Sequence, residues 1–234
     1  MLSREISIEA VCESSILINF AEEISPELPL FINQVAELVY ANHNGSIMNI
    51  TPSYTTLLVD YLPYRTPEHV MLKSLAQIVH QVDSNDTNTV TNTVILPVYY
   101  GFDVAPDLQR LIQDKSIELE QLVAKHTAPL YSICAIGFAP GFAFLSGLDS
   151  SLATPRHATP RLKVASGSVG IADNQTAVYP SATPGGWNII GNCPTRLFDP
   201  SSEQLSPFRI GDKVKFESIS KQEYLKLGGQ LWAI

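Results

Sequence analysis

Residues 137–200 constrain the fold more than any other part of the chain. The run GFAPGFAFLSGLDSSLATPRHATPRLKVASGSVGIADNQTAVYPSATPGGWNIIGNCPTRLFDP holds eight of the thirteen glycines and seven of the sixteen prolines. Such a density excludes long helices and favours short strands joined by turns of fixed shape. Glycine lets backbone approach a ligand closely, and proline fixes a loop at low entropic cost. The stretch carries Arg156, Arg161, Lys163 and Arg196 against Asp149, Asp173 and Asp199, in a chain whose net charge is −8. A basic, aromatic-bearing, preshaped segment in an acidic chain fits a small-anion site. It equally fits the turns of a loop-rich β domain.

The 234 residues allow one large or two small domains. A hydrophobic content of 45% and a charged content of 16% describe an ordered globular protein. The acidic balance and the lack of any Lys/Arg run argue against nucleic acid as a partner. Residues 1–15 carry charge at Arg4 and Glu5 and no apolar run of signal-peptide length, which leads to the expectation of a cytoplasmic protein. Thr127 to Leu148 is uncharged and long enough to span a bilayer. It contains Pro129, Pro140, Gly137, Gly141 and Gly147, and so reads as a buried strand running into a loop rather than a membrane helix. Cys12, Cys134 and Cys193 are too few and too scattered for a disulfide framework or a CxxC metal pair.

The first eighty residues alternate strand and helix signals. Ile6–Val11 and Ile16–Phe20 read as a hairpin. A helix follows, with Ser25 as cap, Pro26 first, and Leu28, Phe31, Val35, Leu38 and Val39 on its apolar face. Strands are expected at Ile47–Thr51 and Thr55–Tyr61. A second helix opens at Thr66-Pro67 and is expected to bury Val70, Met71, Leu75, Ile78 and Val82. The order ββαββα suits a small antiparallel sheet covered on one face by two helices. The polar run at 83–93 is the linker candidate, which divides the chain into 1–85, a linker 86–93, and 94–234. Beyond it come a strand at Val94–Tyr100 and short helices at Ala105–Lys115 and Ser116–His126, the second capped by Ser116. Strands then dominate at Leu130–Ile136, Lys163–Ile171, Gln175–Tyr179, Trp187–Gly191, Arg196–Phe198 and Lys213–Ile219, the pattern of a barrel or sandwich.

No GxxxxGK[ST], no GxGxxG after a strand and no HExxH occurs, so the sequence supports no P-loop, dinucleotide fold or metal site. Gly167-Ser168-Val169-Gly170 has the wrong spacing for a nucleophile elbow and reads as a turn entering a strand. Cys193 lacks a neighbouring base in sequence.

Taken in order, the motifs Gly137-Phe-Ala-Pro-Gly-Phe142, Thr154-Pro-Arg156, Thr159-Pro-Arg161, Ser166-Gly-Ser-Val-Gly-Ile171, Gln175-Thr176, Tyr179-Pro180, Pro184-Gly-Gly-Trp187, Leu197-Phe-Asp-Pro200 and Gly211-Asp212 carry a resemblance. So do Leu96-Pro-Val98, Pro106-Asp-Leu108, His126-Thr-Ala-Pro129 and Pro52-Ser-Tyr54. With them the chain resembles a bacterial family that contains the B subunit of 5-oxoprolinase, the protein labelled allophanate hydrolase subunit 1, and an inhibitor of a sporulation histidine kinase. The module also occurs in urea carboxylases. The sequence departs from the family pattern at Glu13-Ser14-Ser15, where Gly-Asp is usual, and at Asn49, where an acidic residue is usual. Val164-Ala-Ser-Gly-Ser168 and Thr176-Ala-Val-Tyr-Pro180 keep size or polarity.

The resemblance implies an α+β protein: a small ferredoxin-like α/β N-terminal domain followed by a cyclophilin-like β-barrel. It implies a non-autonomous component of an ATP-dependent 5-oxoprolinase, which opens 5-oxo-L-proline to L-glutamate. Its partners would be a homologous cyclophilin-like protein, the C subunit, and the larger A subunit. ATP is then used by the assembled complex, with no ATP site of this chain's own in sight. The alternatives are inhibition of a sensor histidine kinase and a place in an allophanate- or urea-hydrolysing complex.

5-Oxoproline is a compact lactam with a carboxylate, and a guanidinium forks onto two carboxylate oxygens. Arg156 and Arg161 are the candidate clamps, unless they pair structurally with Asp149 or Asp199. His126 either shuttles a proton or orients substrate, or else makes a capping or core hydrogen bond. Ser166, Ser168, Gln175 and Tyr179 supply polar handles. Phe138, Phe142 and Trp187 supply apolar walls, or plain core. Pro140, Gly141, Gly185 and Gly186 shape the mouth.

Overall fold

The computed structural model describes residues 6–23, 25, 27–84 and 91–231. The chain divides into two compact units, residues 1–91 and 92–234.

In the first unit β1 (Ser7–Cys12) and β2 (Ser15–Asn19) form a hairpin. Then come α1 (Leu28–His43), β3 (Ile47–Pro52), β4 (Thr56–Tyr61) and α2 (Glu68–Ser84). The antiparallel sheet has the order β1-β2-β4-β3. Ile16 faces Val59 and Ile18 faces Leu57 across the β2–β4 register. These four side chains are fully buried while Leu17 and Leu58 between them stay half-buried. That alternation is what a sheet covered on one face requires. The cover is the apolar stripe of α1 (Leu28, Ile32, Val35, Val39) and that of α2 (Met71, Leu75, Ile78, Val82). The ββαββα order is therefore observed. A ferredoxin-like domain runs βαββαβ, so the structure supports mixed α/β layering here and not that named topology.

Two details differ from the sequence reading. The first helix begins at Leu28, with Glu27 before it and Pro29 in its first turn. Ser25 gives only its carbonyl, to the Leu28 N–H at 3.3 Å, and Pro26 lies outside the described residues. Val70 is exposed, because the stripe of α2 is centred on Met71, Leu75 and Ile78.

The second unit contains β5 (Thr93–Val98), α3 (Leu108–Lys115), α4 (Leu119–Thr127), β6 (Tyr131–Ile136), β7 (Ala143–Ser146), β8 (Arg161–Val164), β9 (Ser168–Ala172), β10 (Gln175–Val178), β11 (Thr183–Gly185), β12 (Asn188–Asn192), β13 (Lys213–Ser218) and α5 (Lys221–Lys226). Seven strands form one sheet in the order β12-β9-β10-β7-β6-β13-β5. Just beyond β5, Tyr99 and Asn192 exchange two backbone hydrogen bonds of 2.9 Å, which brings the last strand back to the first. The sheet is thus a nearly closed barrel. The β8–β11 pair is a separate two-stranded ribbon.

Side chains alternate along these strands, and both faces are buried. Val169 and Ile171 of β9, Val178 of β10 and Ile190 of β12 face the main core with Leu96, Ile133 and Phe216. Ala172, Ala177 and Ile189 face the other way, into a smaller cluster with Phe142, Val164, Tyr179 and Trp187. That second cluster is the floor of the site described below.

The sequence places the cap of α4 at Ser116. In the structure Ser116 instead ends α3 in a left-handed conformation (φ 53°), and α4 starts after Glu118, whose N–H donates to Gln121 Oε1 at 3.0 Å. The expected strand 163–171 is two strands, β8 and β9. Gly167 breaks it with φ +78°, where a Cβ would collide with the Cys193 carbonyl oxygen. Residues 196–198 are not a strand, and the uncharged run 127–148 holds two buried strands, β6 and β7, rather than one. No helix among the described residues is long and apolar enough to cross a membrane.

Candidate functional site

The loop 137–142 joins β6 to β7 as a hairpin, with the Gly137 N–H donating to the Phe142 carbonyl at 3.1 Å. Within it Phe138 takes a left-handed φ of 72°, a conformation costly for an aromatic residue. Phe138 is 65% exposed, yet its ring stands 5.2 Å from the Phe142 ring in an edge-on contact. Phe142 in turn packs edge-on against Tyr179 (5.3 Å) and Trp187 (5.7 Å). With Arg156 and His157 these aromatics line a cavity of about 400 Å³. The size is in the range of small-molecule sites, roughly 300–1,000 Å³.

The β8–β11 ribbon borders the cavity through Pro184 and Gly185, with Pro160 just before β8. A Cβ on Gly185 would collide with the Tyr179 hydroxyl, so glycine is what lets that phenol stand against the ribbon. Burial raises the Tyr179 pKa; a hydrogen bond from the Trp187 backbone and the charges of Arg156 and Arg161 partly offset it. Tyr179 is thus a neutral phenol at physiological pH.

Behind the wall is a buried carboxylate. Asp107, immediately before α3, accepts from Arg161 Nη2 at 2.5 Å and from His157 Nε2 at 3.0 Å on Oδ1, and from the Ile189 N–H at 2.7 Å on Oδ2. Arg161 also donates to the Trp187 carbonyl at 3.5 Å. Arg110 closes the network, donating to Asn188 Oδ1 at 2.6 Å while Asn188 donates to the Pro155 carbonyl at 2.9 Å. A buried charge this well paired fixes its partners rather than reacting itself.

The two arginines therefore differ. Arg161 is bound to Asp107. Arg156 lines the cavity with a side chain 59% exposed, and its ion pair is a 4.0 Å contact to the exposed Asp173. Surface pairs of that kind are weak, about 0–1 kcal/mol. Its guanidinium can turn to an incoming carboxylate at little cost.

Other sequence candidates lie elsewhere. His126 is fully buried in the main core. Its Nδ1 is 2.7 Å from the Tyr100 hydroxyl and its Nε2 is 2.9 Å from Thr176 Oγ1, which itself donates to the Gly170 carbonyl. Burial lowers the His126 pKa to about 3, so it is a neutral core residue with no opening to the cavity. Ser168 is fully buried at the start of β9. Ser166 donates to the Pro180 carbonyl at 2.9 Å and lines a different cleft, with Cys193 and Arg196. Gln175 opens β10, paired with Ser146 and Ala172. Pro140 and Gly141 shape the 137–142 loop, with Gly141 at φ +81° against the Leu197 carbonyl. The Cys193 thiol is buried, and burial raises its pKa. The cavity gathers Phe138, Phe142, Arg156, Tyr179, Gly185, Gly186 and Trp187 from the sequence candidates. It adds His157, which sequence reading passed over between Arg156 and the Thr159-Pro-Arg161 motif, and Phe144. Asp107 supports it from within the Pro106-Asp-Leu108 motif.

Residues 6–208 match the family model for the carboxyltransferase domain, subdomain C and D. The 5-oxoprolinase B subunit of Bacillus subtilis (strain 168) is 33% identical over 231 residues, covering 93% of this chain and 94% of that protein. Among solved structures, TTHA0988 matches with a TM-score of 0.78 and 30% identity over 88% of this chain, which spans 40% of that longer one. The Kluyveromyces lactis urea carboxylase matches 95% of this chain and 22% of its own length with a TM-score of 0.73 at 16% identity, a likeness of fold alone. With a family model and a curated relative both running along nearly its whole length, the chain belongs to the carboxyltransferase-domain family, subdomain C and D.

Proposed function

We propose that this chain is the non-autonomous B subunit of an ATP-dependent 5-oxoprolinase, and that the barrel cavity is where it takes hold of 5-oxo-L-proline. The observation that carries the reading is a cavity of about 400 Å³ that joins one weakly paired guanidinium, Arg156, to aromatic walls and a neutral phenol, Tyr179. In this reading Arg156 forks onto the carboxylate, and the faces of Phe142 and Trp187 hold the flat ring. Tyr179 donates to the lactam oxygen. Arg161 and Asp107 keep the wall rigid.

Opening an unstrained lactam requires activation, and ATP supplies it by phosphorylating the amide oxygen. That step is assigned to the assembled complex, with a homologous cyclophilin-like partner and a larger one, in the cytoplasm. The barrel is read as cyclophilin-like. Kinase inhibition is the weaker reading, since a relative that covers 93% of the chain is named a 5-oxoprolinase subunit.

A strain deleted for this chain tests the role. It is expected to lose growth on 5-oxo-L-proline as nitrogen source, with growth restored by the wild-type chain. Undiminished growth of the deletion strain contradicts the reading.

A further inference from the structure

We propose that His157 is the specificity-determining residue of the cavity: its Nδ1 accepts a hydrogen bond from the ring N–H of the bound lactam. This rests on the reading of the cavity as the 5-oxo-L-proline site.

The argument begins with Asp107. An ionised carboxylate can only accept hydrogen bonds, so the nitrogen of His157 that lies 3.0 Å from Asp107 Oδ1, Nε2, carries a proton. In a neutral imidazole the other nitrogen is then a lone-pair acceptor. Arg161 at 2.5 Å, the Ile189 N–H at 2.7 Å and Arg110 at 3.9 Å complete the donors and cations around Asp107. The ring is held from behind by Asp107, and the backbone N–H of His157 donates to the Gly186 carbonyl at 2.8 Å. One quarter of the side chain remains exposed, and the residue lines the cavity. The charged and titratable groups around it are Asp107 and Arg110 from α3 and its approach, Arg156 beside it, Arg161 from β8, and Tyr179 at the end of β10.

The remaining walls explain why an acceptor is informative here. Arg156 donates only, Tyr179 presents its O–H, and the Phe and Trp rings present faces. Among the described residues lining the cavity, His157 is the one whose side chain offers a nitrogen lone pair. A lactam carboxylate presents three features to such a wall. Its carboxylate and carbonyl are acceptors, matched by Arg156 and Tyr179. Its ring N–H is a donor, and His157 Nδ1 matches it. The γ-lactone counterpart, with oxygen in place of N–H, would set two lone pairs against each other at that point. A site built around one buried hydrogen bond rejects the analogue that lacks it.

The test uses the assembled complex with ATP withheld, titrated calorimetrically with 5-oxo-L-proline and with its γ-lactone counterpart, 5-oxotetrahydrofuran-2-carboxylate. Wild type is expected to prefer the lactam by on the order of tenfold to a hundredfold. His157→Phe, which has no acceptor, is expected to erase the preference by weakening the lactam alone. His157→Gln, whose Oε1 accepts, is expected to keep part of it, and this variant serves if the Phe variant fails to fold. Equal affinity of wild type for the two ligands overturns the proposal, as does a preference that survives His157→Phe. If wild type binds both ligands equally and Arg156→Ala weakens both alike, the 5-oxoproline reading stands and only the role of His157 falls. If wild type binds neither ligand, both fall together.

Discussion

His126 is sealed in the core between Tyr100 and Thr176, and its pKa is lowered to about 3 by burial. An unfolded histidine takes up a proton below about pH 6.5, while the native one stays neutral until about pH 3. Between those values the unfolded state binds more protons, so stability falls as pH drops, by up to about 1.4 kcal/mol per unit. Denaturant titrations at pH 7 and pH 5 check this: the wild type is expected to lose more stability on acidification than His126→Gln, and an equal loss in both contradicts it. The residue also marks a limit of sequence reading. His126, at the end of a helix, offered two roles in sequence, and only the burial of its ring decides between them. Phe138, Phe142, Arg156, Tyr179 and Trp187 were legible because they share one Gly/Pro-rich stretch. The Asp107–His157 pair was not. Fifty positions separate the two residues, and nothing local in either tells that Ile189, on a third segment, will hold the carboxylate between them.

At the scale of elements, short runs of strand formers between Gly/Pro turns made most strands legible, and the same runs hid how many there were. β7 is a four-residue strand directly after a Gly/Pro loop, and the uncharged run around it looks continuous with β6. Residues 163–171 read as one strand although Gly167-Ser168 also reads as a turn, and it is at Gly167, with its φ of +78°, that the strand breaks. The β8–β11 ribbon matters most for the site, because it presses on Tyr179. Gly185→Ala would drive a methyl into the Tyr179 hydroxyl. The cost is expected to be about 1–3 kcal/mol of stability, with the phenol displaced toward the cavity and affinity for 5-oxo-L-proline reduced. Thermal melting together with ligand titration measures both. An unchanged melting temperature and unchanged affinity contradict the close contact.

For the whole molecule, the two units divide the work unequally. The first is a sheet with one face covered by helices. The second closes a barrel and places on the outer side of β9, β10 and β12 a second apolar cluster, over which a ribbon and a hairpin loop build the cavity. Its wall offers a held imidazole, a phenol and one weakly paired guanidinium, and in the proposed reading these bind and orient a small acidic amide that the assembled complex activates. The central claim is therefore a shared site. It is tested most directly by ATP-dependent release of L-glutamate from 5-oxo-L-proline, measured for the isolated chain, for the partner proteins without it, and for the reconstituted complex carrying wild type or Arg156→Ala. The account predicts turnover only from the complete wild-type complex. For Arg156→Ala it predicts a loss of kcat/KM of on the order of tenfold to a hundredfold, with assembly intact and stability changed by less than about 0.5 kcal/mol. Full turnover by the isolated chain, or an Arg156→Ala complex as active as wild type, contradicts it.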